Sequence, residues 1–164
     1  MTKRVADSSV INSQGGLHVY SGAVASNTTV KQKGIFGVGL GATTYNTTID
    51  YAGELKVWGG GKVYNNTINQ YGAIILSSGA VADSSVINSQ GGLHVYSGAV
   101  ASNTTVKQKG IFGVGLGATT YNTTIDYAGE LKVWGGGKVY NNTINEYGAI
   151  ILLSGAMADT TTMQ

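Results

Sequence analysis

Large apolar side chains recur along this chain every 19 residues, in three columns. Counting each unit from Val5, position 7 holds Ile11, Val30, Ile49 and Ile68, position 13 holds Leu17, Phe36, Leu55 and Ile74, and position 15 holds Val19, Val38, Val57 and Leu76. Positions 13 and 15 are separated only by His18, Gly37, Lys56 or Ile75, the alternation of a β-strand with one face turned inward. Position 7 closes Thr-rich stretches such as Thr28-Thr29-Val30 and Thr47-Thr48-Ile49, which predicts a second short strand. Gly stands at positions 11 and 18 of every complete unit, after each strand, where the chain must turn and a positive φ is expected. No i, i+3, i+4 stripe survives anywhere, and Gly, Thr, Val, Ile and Asn dominate, so helix is disfavoured.

The same pattern repeats on a longer scale. Residues 5–80 recur as 81–156 with only Gln70 becoming Glu146 and Ser77 becoming Leu153. Each long repeat holds four of the short units, giving eight in all plus a partial ninth, 157–164, with Met163 at position 7. A 19-residue unit with three core side chains cannot bury its own apolar face, whereas stacked units can. Coiling the chain with equivalent strands in parallel register places each apolar residue over its counterpart one rung away, at roughly 4.8 Å, so eight rungs make a rod on the order of 40 Å long. The expected fold is therefore all-β, a parallel β-helix (β-solenoid) of about eight 19-residue rungs forming a single domain over 1–164. The open first and last rungs would expose unpaired backbone and near-identical surfaces, which predicts end-to-end self-association.

Composition narrows the function. With 42% hydrophobic residues and a formal net charge of +2, the chain is not a disordered tail. It has no Cys and two His, so neither disulfides nor a thiolate metal site is available, and no metal or cofactor is expected. Lys3 and Arg4 supply the whole charge excess, leaving no basic patch for nucleic acid. The longest apolar stretch, near Gly34 to Ala42, is too short and Gly-rich to span a membrane. No apolar run follows Met1 to Arg4, so a secretory signal is absent, and an exported protein would be represented here by a mature or excised piece.

Candidate chemistry is sparse. A polysaccharide-cleaving site needs clustered carboxylates with Lys or Arg, yet Asp50 and Glu54 are the only acids close together in one rung, with Lys56 beside them. No catalytic residue is assigned, and the chain is expected not to be an enzyme. His18 and His94 are four rungs apart, roughly 19 Å, too far to share a metal. Outward aromatics at position 16, Tyr20, Trp58, Tyr96 and Trp134, are candidate surface-contact residues, since aromatic faces bind sugars and protein partners. They would equally lie flat over glycine, and Gly39 sits between Tyr20 and Trp58 in the stack. Asn27, Asn46 and Asn65 with Thr29, Thr48 and Thr67 form an outward Asn-x-Thr array, read as a ladder that stabilises the turns or as an ice-binding lattice.

The Asn-Thr-Thr-[Val/Ile] strand (Asn27 to Val30, Asn46 to Ile49), the Gly after it, the [Leu/Phe]-x-Val strand and the closing Gly-Ala resemble the 19-residue repeats of self-associating bacterial autotransporter passengers, the AIDA-type and antigen-43-like adhesins. The resemblance covers residues 5 to 164. It implies a right-handed solenoid displayed at the bacterial cell surface or extracellularly, after export through a C-terminal barrel of which this chain holds no segment. It further implies self-association, end to end or side by side, or contact with a host-surface glycan or protein. Some members are O-heptosylated on Ser by a heptosyltransferase, which makes Ser13, Ser21, Ser89 and Ser97, in loops next to Gly, the candidate glycan acceptors. The turn reads Ser-Gly-Ala (Ser21 to Ala23) where the family usually has Ser-Gly-Gly. Two alternatives stand beside the adhesin: an engineered or duplicated solenoid scaffold, suggested by the near-perfect repeat, and an ice-binding protein.

Overall fold

In the second rung, Val24–Ser26, Thr29–Val30 and Ile35–Val38 are three strands on the sides of one coil of backbone. The computed structural model to which they belong describes residues 5–77, 79–88, 90–96 and 98–164, and all its regular elements are β-strands. Strands pair in parallel with their counterparts one rung away, as in Leu55↔Phe36 and Leu55↔Ile74, or Val57↔Val38 and Val57↔Leu76. This is the parallel β-solenoid that the 19-residue period predicts. The rungs build one sheet of fourteen strands and one of eight.

The two predicted strands are present, and a third precedes them at positions 1 to 3, as in Val24–Ser26 and Thr43–Tyr45. Its inward residue varies among Ala25, Thr44 and Val63, so it adds no uniformly large apolar column from which to read it. In four rungs this strand runs on into the next as one seven-residue strand: Lys62–Ile68, Val81–Ile87, Lys138–Ile144 and Met157–Met163. Backbone amides donate up the stack at constant offset, Lys31 to the Ile11 carbonyl (3.0 Å), Asp50 to Val30 (2.8 Å) and Asn69 to Ile49 (2.8 Å).

Phe36, Leu55, Ile74, Leu93, Phe112 and Leu131 are wholly buried along position 13, and positions 7 and 15 are buried beside them. Val57 points inward while Lys56 points out to pair with Glu54 (3.1 Å), as strand alternation requires. Smaller buried columns fill the corners, among them Thr28, Thr47, Asn66 and Ser85 at position 5.

The two glycine columns serve different ends, and here the expectation is corrected. At position 18, Gly22 (φ 72°) and Gly41 (φ 74°) do adopt left-handed backbone, in open space. At position 11 the backbone is not left-handed, and close approach of the neighbouring rung is what demands Gly. A Cβ on Gly53 would lie 2.5 Å from the Val30 carbonyl oxygen, and one on Gly72 would lie 2.6 Å from that of Ile49. The left-handed residues of this turn are the two before the glycine, as in Gln32 (φ 53°) with Lys33 (φ 61°). The turn closes by the Gly34 amide donating to the Lys31 carbonyl (2.9 Å).

Candidate functional site

Two kinds of outward feature follow from this coil. The first is the pair of tight turns at the rod's edges. Ser13 (φ 48°) and Ser21 (φ 55°) occupy left-handed turn positions and are exposed. Ser13 Oγ donates to Gln32 Oε1 of the next rung (3.1 Å). Both hydroxyls can be reached from solvent without opening a rung. Their copies Ser89 and Ser97 lie outside the described residues. A shallow depression at the same edge is lined by Lys107, Gln108, Lys109, Tyr127 and Ala128, with no carboxylate among them.

The second feature is the outer face of the eight-stranded sheet. Alternation turns positions 14 and 16 outward together, bringing His18, Tyr20 and Trp58 into one patch across three rungs. His18 and Tyr20 stack at 6.0 Å with an interplanar angle of 2°, and Tyr20 meets Trp58 edge-on at 5.9 Å. The intervening rung contributes Gly37 and Gly39, whose missing side chains form a floor. A Cβ on Gly39 would lie 2.7 Å from Trp58 Cε2, and one on Gly37 would meet the His18 imidazole first, with Trp58 Cη2 at 3.0 Å. The rings therefore cover backbone, yet Tyr20 and Tyr96 keep 40% and 39% of their surface exposed. Glu54 and Lys56 flank the patch as an ion pair at 3.1 Å, and Glu130 with Lys132 repeats it at 2.9 Å.

The second repeat carries the same patch four rungs on. His94 stacks on Tyr96 at 6.3 Å and 7°. Unlike His18, which is exposed, His94 has Ile75 as its register partner in the rung before it and is half-buried. Burial disfavours the imidazolium and pushes the His94 pKa down. Among the described residues no three His, Cys, Asp or Glu side chains gather to hold a metal. Asp50 does not join Glu54 in an acid pair, since Glu54 is tied to Lys56 and Asp50 Oδ1 is buried without a partner.

The Asn-x-Thr array divides into two faces. Asn46 Nδ2 donates to Asn27 Oδ1 (3.1 Å) and Asn65 Nδ2 to Asn46 Oδ1 (3.4 Å), so the Asn column is an inter-rung ladder. These Asn residues are left-handed (φ 52° at Asn27), a conformation their side chain tolerates better than most. Asp7 ends the ladder by accepting from Asn27 Nδ2 at 2.8 Å, and Asp83 does so from Asn103 at 2.6 Å. Thr29, Thr48 and Thr67 form one half-buried column beside it.

No family model and no curated protein matches the chain. Six chains of solved structures do. One is the crystal structure of the TibC-catalysed, hyper-glycosylated fragment 55–350 of TibA, with a TM-score of 0.83 and 27% identity. The match covers 98% of this chain and 64% of that one, so the chain spans somewhat under two thirds of the fragment's length.

Proposed function

We propose that this chain is a stretch of an autotransporter-type adhesin passenger: a rigid rod displayed at a bacterial cell surface, O-glycosylated on turn serines, acting by self-association or host contact rather than catalysis. The observation that carries the reading is the whole-chain similarity to a glycosylated TibA fragment (TM-score 0.83 over 98% of the chain). The exposed hydroxyls at the turns supply acceptors of the kind such modification needs. The repeat resemblance to AIDA-type and antigen-43-like passengers supports the same reading from the residues alone. Its partners are then a glycosyltransferase of the heptosyltransferase kind, other copies of the rod, and a host-surface glycan or protein.

Modification is the part most easily tested. Co-expression with TibC should raise the intact mass by whole multiples of one sugar unit. The gain should shrink when Ser13, Ser21, Ser89 and Ser97 are replaced by Ala. An unchanged mass under conditions that glycosylate the TibA fragment would overturn the acceptor role.

A further inference from the structure

The two patches on the outer face of the eight-stranded sheet are identical in sequence but not in packing. In the first repeat Trp58 lies across both floor glycines, with Cε2 and Nε1 2.7 and 2.8 Å from where a Gly39 Cβ would be. In the second repeat the equivalent spot over Gly115 is taken by the Tyr96 ring, while Trp134 covers only Gly113, its Cζ3 2.8 Å from a Cβ there. The residue that follows in the position-16 column after the Trp differs, Ser77 in one repeat and Leu153 in the other. The same glycine floor is thus covered by a Trp ring in one repeat and by a Tyr ring in the other. Such a slot is sized for a flat ring and discriminates weakly among occupants. A ligand ring would enter by displacing the ring that covers the floor, with the Tyr and Trp of the rungs on either side as its walls.

We propose that each slot binds one neutral pyranose ring of a glycan, at Gly37 and Gly39 between Tyr20 and Trp58, and at Gly113 and Gly115 between Tyr96 and Trp134. Aromatic faces present apolar contact to the C–H face of a sugar, while a polar rim is needed for its hydroxyls. That rim is present as the Glu54–Lys56 and Glu130–Lys132 pairs, while the imidazoles of His18 and His94 lie over Gly37 and Gly113 at one end of each floor. Each rim carries one charge of each sign, which favours a neutral polyhydroxyl ligand over an anion such as a nucleic acid or a phosphopeptide. Both slots face the same way and stand four rungs apart, roughly 19 Å. A linear glycan long enough to span them would bind at two points and gain from effective concentration. This specifies the contact made by the proposed adhesin and rests on that reading only for where the glycan comes from.

The chain has two Trp, one in each slot, so its intrinsic emission reports binding directly. The probes are the methyl pyranosides of gluco, galacto and manno configuration and linear oligosaccharides of each, titrated into the unmodified 164-residue protein. At least one series should shift Trp emission saturably, with a spanning oligosaccharide at least about tenfold tighter than its monosaccharide. Adding a methyl group to both floors, Gly39→Ala with Gly115→Ala, should abolish the shift. Should that variant fold poorly, Glu54→Gln with Glu130→Gln alters only the exposed rim and should weaken binding about tenfold. Natively folded protein whose emission no saccharide changes up to about 10 mM would overturn the proposal. So would a shift that survives both double variants, or one produced by aromatic peptides and by no sugar, which would make the patch a protein contact. None of these outcomes depends on whether TibC adds sugar to the turns, so the two ideas fail separately.

Discussion

A methyl group added at Gly53 and one added at Gly22 should cost different amounts, for different reasons. At Gly53 it would press on the Val30 carbonyl at 2.5 Å, a group held in the ladder by the Asp50 amide. At Gly22 it would meet nothing within 4 Å and suffer only the left-handed backbone (φ 72°). Gly53→Ala should then lose about 3 kcal/mol as overpacking does, and Gly22→Ala about 1 kcal/mol. Urea denaturation compares them, and equal losses would contradict the assignment of the two columns. The sequence shows that Gly is obligatory at both positions but not why, because the crowding atom belongs to the previous rung.

Asp83 gives a second residue-scale expectation. Burial pushes its carboxyl up, but hydrogen bonds from Asn103 (2.6 Å) and Ser102 (2.8 Å) together outweigh that and hold it below the ordinary 3.8. A depressed folded pKa contributes stability above the unfolded value, and that contribution is lost as pH falls through the folded one. The melting temperature of the wild type should therefore drop more steeply than that of Asp83→Asn as pH is lowered below 3.8. Parallel acid profiles would sink this account of the ladder's end.

At the scale of the elements, the corner between the first two strands is a column of buried polar side chains whose satisfaction differs between repeats. Thr44 and Thr47 hydroxyls pair at 3.2 Å, whereas the copies Thr120 and Thr123 are buried with both Oγ1 atoms unpartnered. The same substitution should have different effects in the two places. Thr47→Val breaks a bond and strands the Thr44 hydroxyl, costing about 1 kcal/mol, while Thr123→Val removes an unsatisfied group and should be neutral or stabilising. Equal destabilisation would mean that Thr123 has a partner after all. Large apolar residues two apart made the Glu54–Val57 strand legible, and Thr-rich stretches did the same for Thr48–Ile49. The strand at positions 1 to 3 was not legible, because its inward column mixes Ala25, Thr44 and Val63 and so shows no constant apolar position. Sequence also placed Tyr20 and Trp58 outward over Gly39, but identical repeats could not reveal that Tyr96 and Trp58 take equivalent slots.

For the whole molecule, the 19-residue period alone carries the architecture, since each Leu55-like side chain finds its burial in the rungs on either side rather than within its own. Outward residues are then repeated in straight rows along the rod, and apart from Gln70/Glu146 and Ser77/Leu153 the side chains that a rung of the first repeat presents recur four rungs later. Such repetition suits multivalent contact better than a single catalytic cleft, and the proposed role follows from it. The most direct test displays the chain on the outer membrane of cells through a barrel anchor and compares their settling and their adherence to glycan-coated surfaces with anchor-only cells. Cells carrying the chain should clump or adhere measurably faster. Equal behaviour of both populations, with the chain shown by antibody and protease resistance to be present and folded, would contradict the adhesin account.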